Sequence, residues 1–203
     1  MRKSLRPGVV TVLALAALLS GAAAPDSPVA DAAMEGDAER VRSLVRQGVD
    51  VNGPQGDGMT ALHWAARHGD ADMAGVLLGA GADVRAVTRI GAHTPLHVAA
   101  RGGSEPVVRA LLAAGADPAA ATTTGVTPLH LAALAGEPGA IAALLDHGAP
   151  AGATEPEWGQ TPLMLAAAQG RAEAVRVLLE RGADPSVTAR VVDLVERASV
   201  DAA

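Results

Sequence analysis

Residues Thr127 to Ala133 read TPLHLAA, and the chain writes this phrase repeatedly. It returns as TALHWAA from Thr60, TPLHVAA from Thr94 and TPLMLAA from Thr161, with a worn copy, SPVADAA, from Ser27. A hydroxyl residue followed by proline and a small apolar run is a helix start. Ser or Thr satisfies backbone N–H groups that no preceding turn can reach, and proline at the first helical position loses nothing by lacking an N–H. Five such starts make an internal repeat the organising fact of the sequence.

The spacing divides each repeat in two. Ser27 to Gly48, Thr60 to Gly81, Thr94 to Gly115, Thr127 to Gly148 and Thr161 to Gly182 are each 21 residues apart, whereas each glycine lies 12, 13, 12 and 13 residues from the next start. One residue inserted in a helix turns every later side chain by about 100°, while a loop absorbs it. The constant part is therefore helical and the variable part loop. Gly36, Gly69, Gly103, Gly136 and Gly170, nine residues after each start, end a first helix. A second helix carries apolar triplets at i, i+3, i+4: Val41/Leu44/Val45, Ala74/Leu77/Leu78, Val108/Leu111/Leu112, Ile141/Leu144/Leu145 and Val175/Leu178/Leu179. Each makes one buried stripe, which a lone helix pair cannot cover, so neighbours must stack.

TPLHLAA followed by AG, a Leu-Leu pair and GAD, at a period near 33 residues, resembles the ankyrin repeat, and the likeness runs from Ser27 to about Ser186. The resemblance implies an all-α repeat solenoid: an L-shaped stack of helix pairs with short β-hairpin or turn fingers. It divides 24–186 into five repeats, 27–52, 53–85, 86–119, 120–152 and 153–186. Departures exist. Repeat one has Ala30 at the histidine position, repeat two has Ala61 for proline, and repeat five has Met164 for histidine. The family's usual aspartate at the finger tip is missing from most loops, which predicts looser hairpins there.

Both ends read differently. Arg2, Lys3 and Arg6, the apolar run Val9 to Leu19 and the small residues Gly21 to Ala24 have the three-part form of an export signal, so 1–23 is expected to be a signal peptide cut after Ala23. This suits a bacterial ankyrin-repeat protein exported to the periplasm or beyond, with no membrane association after cleavage. Residues 187–203 are expected to form a closing helix, capped at Thr188, with Val191, Val192, Val195 and Ala198 on one face.

Composition narrows the chemistry. The chain of 203 residues has no Cys, so thiolate catalysis, disulfides and Cys-ligated metal are excluded. Two Trp are its only aromatics and its net charge is −6, both unsuited to nucleic acid. Cleavage after Ala23 would remove three basic and no acidic residues, leaving 13 basic against 22 acidic. No GxSxG, GxxxxGK[ST] or HExxH signature occurs, which argues against an enzyme. Gly102-Gly103-Ser104 is the turn between helices of repeat three, with Ser104 as a cap. His93 and His97 are four apart, but His93 precedes the cap Thr94. His63, His97 and His130 recur one per repeat, about 8–10 Å apart, too far to share an ion. Hydrogen bonding near each helix start is their expected role, and no metal or cofactor is expected.

The resemblance implies a binding groove formed by the fingers and the exposed side of the first helices. Those positions hold Met59, Arg67 and His68 in repeat two, and Arg89, Ile90, His93 and Arg101 in repeat three. In repeat four they hold Thr124, Val126 and Leu134, and in repeat five Glu157, Trp158, Gln160 and Gln169. Exposed Trp, Met and Arg are enriched at interface centres, with Trp158 the leading anchor and Arg67, Arg89 and Arg101 a local basic strip. The expected function is a non-catalytic, monomeric module that binds another protein. A small-ligand or metal carrier using His68, His93 and neighbouring loops is the alternative.

Overall fold

The structure is a computed structural model and describes residues 27–190. The expected signal peptide, 1–23, and most of the expected closing helix, 191–203, lie outside the described residues. Among the described residues ten helices follow one another in pairs: α1 (Pro28–Met34) with α2 (Ala38–Arg46), α3 (Ala61–His68) with α4 (Ala71–Gly79), α5 (Pro95–Gly102) with α6 (Glu105–Ala113), α7 (Pro128–Ala135) with α8 (Pro138–Asp146), and α9 (Pro162–Ala168) with α10 (Ala172–Glu180). The odd-numbered inner helices pack on one another in succession, and the outer helices form a second row. No described helix is long and apolar enough to cross a membrane.

The inner helices begin where the repeated phrase places them. Ser27, Thr60, Thr94, Thr127 and Thr161 occupy the cap positions, and proline opens every inner helix but α3. α3, α5 and α7 stop at Gly69, Gly103 and Gly136 with left-handed φ of 68°, 69° and 86°. Leu62, Leu96 and Leu129, one per inner helix, are fully buried. Each contributes about 1.5–3 kcal/mol of apolar burial. The alanines beside them, such as Ala65, Ala99 and Ala132, have no side chain to hold helices apart and are equally buried.

The outer helices bury the triplets unevenly. Val41, Ala74, Leu77, Val108, Leu111, Leu112, Ile141, Leu144 and Leu178 are in the core, whereas Leu179 stays 43% exposed. Leu179 lies on the last described helix, with no following outer helix among the described residues to cover it. Asp37 and Asp70 cap α2 and α4 by accepting from Arg40 and Met73 N–H. Ser104 takes the same position before α6, but its hydroxyl donates to the Gly69 carbonyl of the preceding repeat (3.5 Å) rather than capping.

The loops that vary in length are the fingers. In repeats two and four they are closed by Gln55 N–H to Met59 O and Thr122 N–H to Val126 O. In repeats three and five they are closed by Thr88 N–H to His93 O and Glu155 N–H to Gln160 O, each one residue longer. The alternation of 12 and 13 residues therefore resides in the fingers. The extra residue of repeat three brings Ala92 to a left-handed φ of 52° beside Gly91. Although the fingers close by hairpin-like hydrogen bonds, no strand is assigned among the described residues.

The expected looseness does not hold, because side chains at the finger base replace the tip aspartate. Thr88 and Thr122 hydroxyls accept from His93 and Val126 N–H at 3.0 Å. Glu155 accepts from the N–H groups of Glu157, Trp158 and Gln160. Successive fingers are also joined: Arg89 N–H donates to Asp57 O, Thr123 N–H to Gly91 O, and Arg190 N–H to Trp158 O. Residue 156 holds the corresponding donor position in repeat five, and it is proline, so the ladder is interrupted between repeats four and five. Arg190 thus continues the row of fingers, and 188–190 are not helical. Thr188 is not a helix cap.

Candidate functional site: the finger and inner-helix groove

The floor of the groove is set by threonine–histidine pairs. In repeat three the Thr94 hydroxyl donates to His97 Nδ1 at 2.8 Å, and the Thr94 N–H points at the same nitrogen at 3.2 Å. His97 N–H in turn reaches Thr94 Oγ1 at 3.4 Å, a capping box with histidine in the usual acidic place. The other ring nitrogen, Nε2, donates to Val126 O of the next repeat at 3.1 Å. These partners assign a neutral ring with its proton on Nε2. His63 and His130 repeat the pattern, donating to His93 O at 3.0 Å and to Gln160 O at 3.1 Å.

All three rings are buried. Burial lowers the pKa of His97 to about 4, helped by His93 and Arg101, and lowers those of His63 and His130. The structural role expected for these histidines holds, and it extends across the repeat boundary. His93 meets His97 edge-on at 5.8 Å between ring centroids, but both His97 nitrogens are engaged. The pair therefore has no common lone pair for a metal.

Burial at Glu155 works the other way. Desolvation alone would raise its carboxyl, but the N–H groups of Gln160, Trp158 and Glu157 outweigh it and hold the group below the usual range. Among the described residues no buried side-chain nitrogen or oxygen lacks a partner.

The proposed site residues separate by their place on the finger. Met59, His93, Val126 and Gln160 each immediately precede a cap threonine, on the return limb that faces the stack. Met59 is accordingly buried, and Val126 is half-buried against the core. Neither is the freely presented surface residue that the sequence suggested. His93 and Gln160 are half-buried, and their carbonyls are taken by the histidines of the preceding repeat. The tips differ. Ile90 is 86% exposed and Trp158 39%, and Arg89, Thr124 and Glu157 are exposed beside them.

At the far ends of the inner helices, Arg67, Arg101, Leu134 and Gln169 are exposed. His68 is exposed too, but it stacks on Trp64 at 6.1 Å and reaches Met34 O at 3.2 Å, tying repeat two to repeat one. Trp64 was not singled out by the sequence. Its Nε1–H donates to Gln55 Oε1 at 2.8 Å, and Gln55 donates to Asp31 at 2.6 Å. The Arg67 guanidinium lies 5.7 Å from the Trp64 ring centroid, a cation–π distance.

Between repeats two and three lies an open cavity of about 290 Å³. Five of the expected residues, Met59, Arg67, Ile90, His93 and Arg101, line it together. Trp158, Leu134 and Gln169 lie further along the stack. The arginines of this face differ from all but Arg46 of those on the outer helices. Arg42 pairs with Glu39, Arg109 with Glu105, Arg176 with Glu173 and Glu180, and Arg181 with Asp146. Arg67, Arg89 and Arg101 make no ion pair with any described residue.

A family model described as ankyrin repeats, three copies, matches residues 11–88, 29–122 and 96–189. The chain belongs to the ankyrin-repeat family. Ankyrin repeats are generally protein–protein interaction modules, and the family is typically non-catalytic. In ankyrin terms, the cavity lies between the fingers and inner helices of adjacent repeats. A comparison with curated proteins finds no match to this ankyrin chain.

Proposed function

We propose that the chain is a non-catalytic binding module that presents its finger and inner-helix face to another protein, and that it does so after export to the periplasm or outside the cell. The observation that carries the reading is the contrast between its two faces: Arg40, Arg42, Arg109 and Arg176 of the outer helices are paired in place, with Arg46 the exception, while Arg67, Arg89 and Arg101 make no ion pair among the described residues and lie on the side of the exposed Ile90. Arginine and large apolar groups are the types that dominate binding energy when a partner excludes water from them. The face holds no aromatic row for stacking bases, so a protein suits it better than nucleic acid. The module acts as a monomer, with Trp158 and Arg89 as anchors.

Affinity capture from the native compartment tests this. A partner retained by the native chain and released by Trp158→Ala combined with Arg89→Ala is expected, and retention undiminished by that pair would count against the face. The first family match begins at residue 11, inside the apolar run Val9 to Leu19, so a repeat and a signal peptide compete for 11–23. The compartment and mass of the recovered chain decide between them: a chain beginning at Ala24 outside the cytoplasm is expected, and an intact chain confined to the cytoplasm removes the export reading.

A further inference from the structure

We infer that the cavity between repeats two and three receives a partner-protein segment in which an aspartate or glutamate stands beside an apolar side chain. This rests on the protein-binding reading and names the chemistry of the partner. Three observations lead to it.

The first is charge. Arg67 and Arg101 hold the same position at the ends of consecutive inner helices, line one cavity and have no carboxylate partner among the described residues. Arg67 is steered by Trp64 behind it. Two forked guanidiniums on an otherwise acidic protein make a local anion site, and a carboxylate matches their geometry.

The second is polarity. Met59 and Val98 offer apolar walls, and Ile90 leaves 86% of its surface uncovered at the finger side. Asp57 also lies at that end, its Oδ1 already accepting from Met59 N–H at 2.9 Å. A carboxylate is repelled there, so the apolar side chain takes the finger end and the carboxylate the arginine end.

The third is size. About 290 Å³ is at the bottom of the range for sites that enclose whole ligands, roughly 300–1,000 Å³. The cavity suits one or two side chains of a longer segment that continues along the groove. Nucleic acid fits less well, because a chain of net charge −6 with two usable guanidiniums here cannot neutralise a run of phosphates.

The test selects random linear peptides on the full chain and titrates the winners, fluorescently labelled, against native protein and variants. Enrichment of Asp or Glu beside, or one residue from, Leu, Ile, Met or Phe is expected. Binding should weaken roughly tenfold or more with Arg67→Glu/Arg101→Glu, less with the charge-removing Arg67→Gln/Arg101→Gln, and should fall as salt rises. Circular dichroism checks that both variants keep their helices.

Winning peptides that are indifferent to these variants but lost on Trp158→Ala overturn this assignment while leaving the protein-binding reading in place. Tighter retention of an oligonucleotide than of any peptide, or self-association of the native chain abolished by Arg67→Glu/Arg101→Glu, also overturns it. A chain that selects no peptide and captures no protein overturns both.

Discussion

Protonation of the buried histidines has a defined cost. In neutral His97 the Nδ1 lone pair faces two donors from Thr94, so a proton added there meets the Thr94 N–H head-on. The folded pKa, about 4, lies below the ordinary 6.5. The unfolded chain therefore binds more protons between those values, and stability falls as pH drops through that window. For His97 alone the loss is on the order of 3 kcal/mol by pH 4. His63 and His130 act in the same direction, as does the depressed Glu155 carboxylate, whose contribution is lost when acid protonates it. Melting temperatures measured from pH 7 to pH 4 should fall, and His97→Gln should flatten the decline while lowering stability at pH 7. A native profile that is level across this range would remove the neutral-histidine account. The local threonine–histidine contact was legible in the sequence because both partners sit in one phrase. The bond from Nε2 to the next repeat was not, since it depends on the register in which repeats stack.

At the level of elements, the fixed and variable spacings have physical counterparts. Fingers of repeats three and five already carry one residue more than those of repeats two and four. Inserting one residue between Thr122 and Thr124 should therefore cost less stability than inserting one within α8, where every later side chain rotates off its face. Urea titration of the two variants compares them, and equal losses would contradict the division. Gly58 is a sharper probe of the joined fingers. Its φ is 87°, and a Cβ there would lie 2.7 Å from Arg89 N, the donor that links repeats two and three. Gly58→Ala should cost about 1–3 kcal/mol and expose the Arg89 amide to exchange, whereas Gly56→Ala, with open space around it, should cost far less. Helix starts, helix ends and repeat boundaries were readable because each is written within a few adjacent residues. The closing roles of Thr88, Thr122 and Glu155 were not legible because each grips residues across a loop with no constant motif. The burial of Met59 and the half-burial of Val126 were not legible for a related reason: which limb of a finger faces the stack is decided by the turn between them.

Across the whole molecule, stability is a sum of repeat and neighbour terms, and the first and last described repeats each pack on one described repeat where the others pack on two. Repeat five is further weakened by Pro156, which removes one finger link, and by the exposed Leu179. Hydrogen exchange should show α5 to α8 as the slowest region and α9 and α10 as faster, with loss of repeat five preceding global unfolding. Uniform protection from α3 to α10 would instead indicate one indivisible unit. The groove residues were nameable from repeat positions alone. The union of five of them, Met59, Arg67, Ile90, His93 and Arg101, around one cavity required the two inner helices and two fingers to be brought side by side.

The threonine–histidine pairs also give the stack a direction of growth. Each ring hands one hydrogen bond forward, from His63 to repeat three, from His97 to repeat four and from His130 to repeat five. Met164 receives the place but has no proton to pass on, so the relay stops at repeat five. Anyone lengthening this protein should splice new units between Thr94 and Thr161, where the relay is intact, or restore it with Met164→His before appending one.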